Sequence, residues 1–319
     1  MRALPVPAPR GGARVVGYGD HRPGNVVTND DLARVMDTDD AWIRERTGIV
    51  TRRHAAADET VASMAVSASA KALANAGVDA ADVDLVLLAS CSLDRPVPGS
   101  AATVATALGA TRAGAVDVNA ACAGFCYGLS WAADAIRSGS ARTVLVAGSE
   151  RLTTWLDPQD RGTAIIFGDG AGAAVVTAAD DNGVGPVVWG SDGGRADAIR
   201  IDARGGHDAI VMDGPGVFRW ATTAMASVAR DAMAAAGVGA DEVTFVPHQA
   251  NLRIVDSLAR QLGIERVARD IADMGNTSSA SVPLAICRLL DEGRVAPGDP
   301  LLLVAFGAGL TYAAQVVLA

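Results

Sequence analysis

The sequence repeats itself, and the repeat sets what the chain can fold into. Ala76-Gly-Val-Asp-Ala-Ala-Asp-Val-Asp-Leu-Val86 returns 160 residues later as Ala236-Gly-Val-Gly-Ala-Asp-Glu-Val-Thr-Phe-Val246. Each copy closes a long Ala-rich helical stretch and leads into a short apolar run of strand character. Other landmarks recur in the same order. Cys122 opens a helical pattern that stops 17 residues on at Gly139, and Asn276 opens one that stops 17 residues on at Gly293. Hydrophobic strands follow, Thr143 to Ala147 and Leu301 to Ala305, and each half closes with a Gly-Ala-Gly and another strand, at Gly170 to Gly172 and Gly307 to Gly309. Repetition at this length implies two similar α/β units, each with its own sheet. The expected division is 12–180 and 181–319 about a pseudo-two-fold axis, with residues 1–11 a flexible Pro-rich tail. Such an axis makes Cys122 and Asn276 symmetry mates that meet at the centre.

The stretch around Cys122 has the shape of a nucleophile mount. Ala115, Val116 and Val118 read as a buried strand, the pattern breaks at Ala120 to Gly124, and Phe125, Leu129, Ala132, Ala133 and Ile136 continue as a helix. The sulfur is then expected near the unpaired N–H groups and positive dipole end of a helix, which favour thiolate. A buried cysteine acting as a small hydrophobe is the competing reading of the residue taken alone. Elsewhere, Val15 to Tyr18 reads as a first strand, Thr28 to Asp31 caps a helix carrying Leu32 to Met36, and Asp37 to Gly48 reads as a short helix with a Gly stop. Thr60 to Ala76 is a long amphipathic helix, and Leu85 to Ala89 a buried strand.

Composition excludes some classes of function. A formal net charge of −9 argues against nucleic acid as a partner, since phosphate binding wants a basic face. The four cysteines, Cys91, Cys122, Cys126 and Cys287, lack the spacing of a disulfide framework, which fits a reducing cytoplasm. Cys122 and Cys126 stand at i, i+4 with no further Cys or His nearby, so no metal is expected. The N-terminus lacks the apolar core of a signal peptide. Leu301 to Ala319 carries no charge, but Gly307-Ala-Gly309 interrupts it and Thr311, Tyr312 and Gln315 would need partners in lipid. Two buried strands around a Gly turn are expected there, not a membrane span.

Two polar clusters stand out in the apolar second half. Val246-Pro-His-Gln-Ala-Asn251 puts His248 just past a strand, and Gly275-Asn-Thr-Ser-Ser-Ala-Ser281 puts Asn276 at a helix start. A core histidine and a helix cap would account for each alone. A thiol, an imidazole and an amide at one axis instead point to nucleophilic acyl chemistry.

At these residues the sequence resembles the β-ketoacyl-acyl-carrier-protein synthase III enzymes of the thiolase superfamily, over nearly its whole length. The resemblance rests on Asn119-Ala-Ala-Cys-Ala-Gly-Phe125, Asp160-Arg-Gly-Thr163, Phe167-Gly-Asp-Gly-Ala-Gly172, Pro247-His-Gln-Ala-Asn-Leu-Arg253, Gly275-Asn-Thr-Ser278 and Phe306-Gly-Ala-Gly309. It implies an α/β thiolase-like fold of two similar halves in an αβαβα arrangement, and a Cys122–His248–Asn276 triad. In family terms Cys122 takes an acyl group from acyl-CoA. Malonyl-acyl carrier protein then loses CO₂, and its enolate attacks the thioester. Ala308 stands where some members have Gly and, with Cys122, would supply the backbone oxyanion hole. Trp42 and Arg161 match a pair that sandwiches the CoA adenine, and Arg46 and Asn251 match groups that contact CoA. Arg219, Arg253 and Arg260 are expected to receive an acidic carrier protein. Val97, supplied by a dimer partner, and Phe306 are expected at the acyl pocket. No permanently bound cofactor is implied, and a cytoplasmic homodimer is.

The substrate stays open. Val97 replaces a bulky aromatic of some members, suggesting room for branched or longer primers, and Ser191 to Asp213 matches the family poorly. Three readings remain: a priming condensing enzyme of fatty acid synthesis, a polyketide starter-unit ketosynthase or acyltransferase, and a non-catalytic partner subunit. The intact Cys122 speaks against the third. Gly168 to Gly172 leads into a β-branched strand, whereas a dinucleotide fingerprint opens a helix, so a dehydrogenase reading is poor.

Overall fold

A computed structural model describes residues 11–204 and 206–319. All but Gly11 of the expected N-terminal tail therefore lies outside the described residues. The first part runs β1 (Gly12–His21), β2 (Asn25–Thr28), α1 (Asn29–Ala33), α2 (Asp40–Thr47), β3 (Thr51–His54), α3 (Val61–Ala76), β4 (Leu85–Ala89), α4 (Ala101–Leu108), β5 (Gly114–Val118), α5 (Gly124–Arg137), β6 (Thr143–Glu150) and β7 (Gly170–Ala179). The second runs β8 (Val188–Ser191), β9 (Ile199–Arg204), β10 (His207–Met212), α6 (Gly214–Ala236), β11 (Thr244–Pro247), α7 (Leu252–Leu262), α8 (Ile271–Met274), α9 (Ser281–Asp291), β12 (Pro300–Gly307) and β13 (Thr311–Leu318). Local signals explain the long helices. Thr60 caps α3 through Ser63 N–H, and Gly77 and Gly237 end α3 and α6 at φ 64° and 70°, where a side chain is strained.

Two sheets carry the molecule. One has the order β1-β7-β6-β4-β5, and the other β8-β13-β12-β11. The strand senses match position by position: β7 is antiparallel to β1 and β6, β13 to β8 and β12, while β6–β4 and β12–β11 are parallel. The β4–β5 pair shrinks in the second sheet to a single parallel bridge, Phe245 to Val267. We propose 12–180 and 181–319 as the corresponding domains.

Alternation along the strands builds five layers. Val144 and Val146 of β6, and Leu301, Leu303 and Ala305 of β12, face a central layer of α5 and α9. Leu145 and Ala147 face α3 and α4 on one outside, and Leu302, Val304 and Phe306 face α6 and α7 on the other. β6 and β12 are buried on both faces, which is why they read as continuous apolar runs. The thiolase-like αβαβα architecture is therefore the observed one. The uncharged C-terminal run is β12 and β13, and no described helix is long and apolar enough to cross a membrane.

Four details differ from the sequence expectation. The strand before Cys122 is not buried: β5 is a sheet edge, with Val116 48% exposed. Asn276 does not open its helix; a short 3-10 turn, Ser278–Ala280, intervenes before α9. The Gly-Ala-Gly triplets are not equivalent, since Gly170 to Gly172 lie inside β7 whereas Gly307 to Gly309 run from the end of β12 into the turn before β13. The symmetry mate of Cys122 is not Asn276. The 3-10 turns Ala121–Ala123 and Ser278–Ala280 are equivalent, as are β6 and β12 from Thr143 and Pro300, at an offset of 157. Cys122 therefore matches Ser279, and Asn276 matches Asn119. Counting back from the Gly stops misled because α9 has 11 residues and α5 has 14.

Candidate active site

The two central helices enter through turns that pack against each other, and the site forms there. Cys122 lies in the turn before α5, half-buried. The turn needs close backbone contact: a Cβ on Gly307 would stand 2.6 Å from Cys122 N, so only glycine fits at the end of β12. His248 follows β11 with its backbone N–H bonded to Val304 O at 2.8 Å, and Asn276 is tied to Ile166 O and Gly168 N. Cys122, His248 and Asn276 line one cavity of about 1430 Å³.

Hydrogen bonds fix how each group is presented. Asn276 Oδ1 accepts Ser278 N–H at 2.9 Å, leaving the side-chain NH₂ as a donor. His248 Nδ1 lies 2.7 Å from Ser281 Oγ, which also accepts Gln249 N–H at 3.4 Å. When the Ser281 hydroxyl donates to Nδ1, the ring hydrogen sits on Nε2. The Phe306 ring meets the imidazole edge-on at 5.5 Å, and burial lowers His248 to about 3. The imidazole is neutral at ordinary pH.

The thiol differs from the expected thiolate. Burial, and after it the Glu150 carboxylate, push Cys122 up to about 12, against opposing hydrogen bonds from the Ser278 hydroxyl and its own N–H. Dehydration outweighs the helix end here. The free protein presents a neutral thiol and a neutral imidazole to the same cavity. Cys126, four residues on, is fully buried in the central core and is not among the residues lining this cavity.

Ala308 also lines the cavity. Among the described residues only Ala121 and Ser278 are non-glycine at positive φ, so Ala308 carries no strain from replacing a glycine. Trp42, Arg46, Arg161, Asn251, Arg219 and Arg253 line the same cavity. Arg161 and Arg46 stack on Trp42 with guanidinium carbons 4.5 and 4.4 Å from the ring centre. An adenine between Trp42 and Arg161 needs about 7 Å, two contact distances, so that slot is closed in this arrangement. Asn251 caps α7 through Arg253 N–H and donates to Arg46 O at 2.9 Å, which joins α7 to the end of α2.

Two expected residues stand apart from this cavity. Arg260 lines a neighbouring hollow with Arg253 and Arg269, and Val97 is 80% exposed on the surface of the chain. The hairpin of β9 and β10 contributes Ile199, Ile201, Ile210 and Met212 to the cavity wall, so the poorly matching segment does line it. Sequence reasoning missed Ser281, Ser278, Cys91 and Glu150. Ser281 lay in a quoted motif, and Glu150 was legible as the lone acid closing the apolar run from Thr143.

Known proteins resemble the chain along nearly its whole length. The family model described as 3-oxoacyl-[acyl-carrier-protein (ACP)] synthase III matches residues 116–193, and that for its C-terminal part matches 233–318. The β-ketoacyl-[acyl-carrier-protein] synthase III of Streptomyces glaucescens is 46% identical, over 96% of both chains. The mycobacterial β-ketoacyl-[acyl-carrier-protein] synthase III of Mycobacterium tuberculosis is 49% identical, again over 96% of both. The solved structure of the priming β-ketosynthase from the R1128 polyketide biosynthetic pathway superposes with a TM-score of 0.96 at 47% identity, covering 99% of this chain and 98% of that one.

Proposed function

Since the chain belongs to the 3-oxoacyl-[acyl-carrier-protein] synthase III family and is a condensing acyltransferase, we propose that Cys122, His248 and Asn276 divide its reaction between them. The observation that carries this is their convergence on one cavity, with both donors neutral and oriented. Cys122 attacks the thioester of an acyl-CoA primer, and its proton leaves with the CoA thiolate as the acyl–sulfur bond forms. Cys122 and Ala308 N–H groups hold the carbonyl oxygen. A malonyl thioester on a carrier protein then enters, and loss of CO₂ leaves an enolate whose oxygen is met by His248 Nε2–H and the Asn276 NH₂. Preorganised donors of this kind are worth about 100- to 1000-fold each. The enolate carbon attacks the acyl-enzyme, a carbon–carbon bond forms, and Cys122 leaves as thiolate. With the thiol held near 12, that thiolate takes up a proton from solvent, the one the net reaction consumes.

Trp42, Arg46, Arg161 and Asn251 form the CoA entrance in this reading, and Arg219, Arg253 and Arg260 the carrier-protein landing, a basic spot on an acidic chain. No permanently bound cofactor takes part. The edge strand β5, with exposed Val116, and the exposed Val97 support a homodimer in which Val97 reaches the partner's acyl pocket. A cytoplasmic location fits the four free thiols. Likeness to the R1128 priming ketosynthase, together with Val97, favours a second assignment of the same chemistry, to a polyketide starter unit.

Intact-protein mass after exposure to a panel of acyl-CoAs tests the reading. An adduct on Cys122 that malonyl-carrier protein discharges as β-ketoacyl product supports it and names the primer. An adduct that only another acceptor discharges means acyl transfer, and no adduct with any acyl-CoA overturns the CoA-primed reading.

A further inference from the structure

Beneath the triad sits a carboxylate that the chemistry above does not use. Glu150 ends β6, is fully buried, and only accepts hydrogen bonds. Oε2 receives Ser90 Oγ–H at 3.1 Å, Ser92 Oγ–H at 2.5 Å and Cys91 N–H at 3.1 Å. Oε1 receives Ser279 Oγ–H at 2.8 Å, Ser279 N–H at 3.4 Å and Cys91 Sγ–H at 3.4 Å. No cation pairs with it among the described residues. A buried carboxylate with no counter-ion is an expensive way to fasten a core. Every donor here belongs either to the loop after β4 or to the turn after Asn276.

The symmetry shows what is unusual about the position. Glu150 is the equivalent of Gly307, which lets the backbone close against Cys122; Glu150 instead reaches Ser279, the equivalent of Cys122. It holds Ser279 by two groups, and through Cys91 it touches Ser278, whose Oγ lies 3.6 Å from Cys91 Sγ. Ser278 N–H is the group that orients Asn276 Oδ1. The Asn276 backbone is pinned separately by Ile166 and Gly168, so a change at Glu150 is transmitted to the side-chain amide through its partner.

Building on the proposed roles of the triad, we propose that Glu150 is a positioning residue for the condensation half-reaction, clamping the 278–279 turn so that the Asn276 amide meets the enolate oxygen. The same charge opposes thiolate at Cys122, so its removal does not disfavour acylation. Misplacement of about 1 Å costs on the order of 100-fold in rate.

The test separates the two steps in Glu150→Gln and in Ser279→Ala, which loosens the clamp from its other end. Acylation is followed by protein mass with an acyl-CoA that loads the wild type, and discharge of the pre-formed acyl-enzyme by malonyl-carrier protein is followed separately. Condensation is expected to fall at least tenfold more than acylation in both variants. Equal loss of both steps, or loss of neither, overturns the inference, because a merely structural role lowers the active fraction for both alike. A wild-type acyl-enzyme that malonyl-carrier protein fails to discharge overturns the condensing roles and this inference with them. Normal wild-type discharge without the split overturns this inference alone.

Discussion

Asn119 and Asn276 make the same contact in opposite halves of the molecule. Each side-chain Oδ1 accepts the amide N–H two residues on, from Ala121 at 3.2 Å and Ser278 at 2.9 Å, and both donor residues sit at positive φ, 45° and 48°. One turn is used twice. In the first half it presents the Cys122 thiol to the cavity; in the second the equivalent Ser279 is turned inward to Glu150 and Ala89 O. Similar backbones thus yield an asymmetric site, because Gly307 leaves room at one turn and Glu150 fills the space at the other.

Gly307→Ala should therefore damage the nucleophile selectively. Gly307 is not at positive φ, so the cost is the clash of a Cβ 2.6 Å from Cys122 N and 3.1 Å from Cys122 Cβ. The turn must shift, and overpacking of this kind destabilises by about 1–3 kcal/mol. Acyl adduct formation should fall about 100-fold while the variant stays folded, as read by mass and by thermal unfolding. Wild-type acylation would mean the contact relaxes freely.

The layers and the nucleophile turn were legible in the sequence because they rest on local rules. Leu85 to Ala89, the cap at Thr28 and the helix from Thr60 to Ala76 follow from strand, capping and amphipathic periodicity. The symmetry mate was misjudged because a helix length, not a motif, differs between the halves. Burial at β5 was misjudged because Val116 and Val118 set the apolar reading, although Asp117 between them is the kind of charge that marks an edge strand. Ser281 and Glu150 escaped notice because their partners, His248 and Ser279, lie 33 and 129 residues away. Long-range pairing of a serine or glutamate leaves no periodic trace.

Ser281→Ala should separate the tautomer of His248 from its presence. Without the hydroxyl, Nδ1 loses its partner and the ring hydrogen is no longer held on Nε2. Condensation should fall about 10- to 100-fold, within the range for loss of one oriented donor, while Cys122 acylation falls far less. An unchanged discharge rate of the acyl-enzyme would show that Ser281 does not set the imidazole.

Alkylation of Cys122 in the free enzyme should keep accelerating with pH. With the thiol pushed up to about 12, the thiolate fraction grows about tenfold per unit throughout the accessible range. Iodoacetamide rates from pH 7 to 10, corrected with Cys122→Ser, should rise without a plateau. A plateau below pH 9 would mean that the helix end prevails over dehydration and Glu150.

His248 makes a linked prediction for stability. Its pKa is lowered from 6.5 to about 3 by burial, so below pH 6.5 the unfolded chain binds a proton that the folded one refuses. The contribution is complete above pH 6.5 and is lost as pH falls toward 3, by up to about 1.4 kcal/mol per unit. Denaturant unfolding of the wild type minus His248→Gln, at pH 7, 6 and 5, should show this excess slope. Parallel curves would place the imidazole in a wetter site.

The stacked pair at the entrance predicts a substrate-dependent defect. Trp42 offers one face to Arg161 at 4.5 Å and is also touched by Arg46 at 4.4 Å, while Arg161 donates to Asp37 O at 2.8 Å. For an adenine to stack on Trp42, Arg161 must move out and exchange a cation–π contact worth about 0.5–1 kcal/mol for base stacking. Trp42→Ala removes the surface on which either contact forms, but it leaves the Cys122 turn untouched. KM for acyl-CoA should rise about tenfold with kcat nearly unchanged, the signature of lost uniform binding. The same acyl group on a short thioester lacking the nucleotide should react equally with wild type and variant. If both donors suffer alike, Trp42 supports the fold of α2 and not the nucleotide.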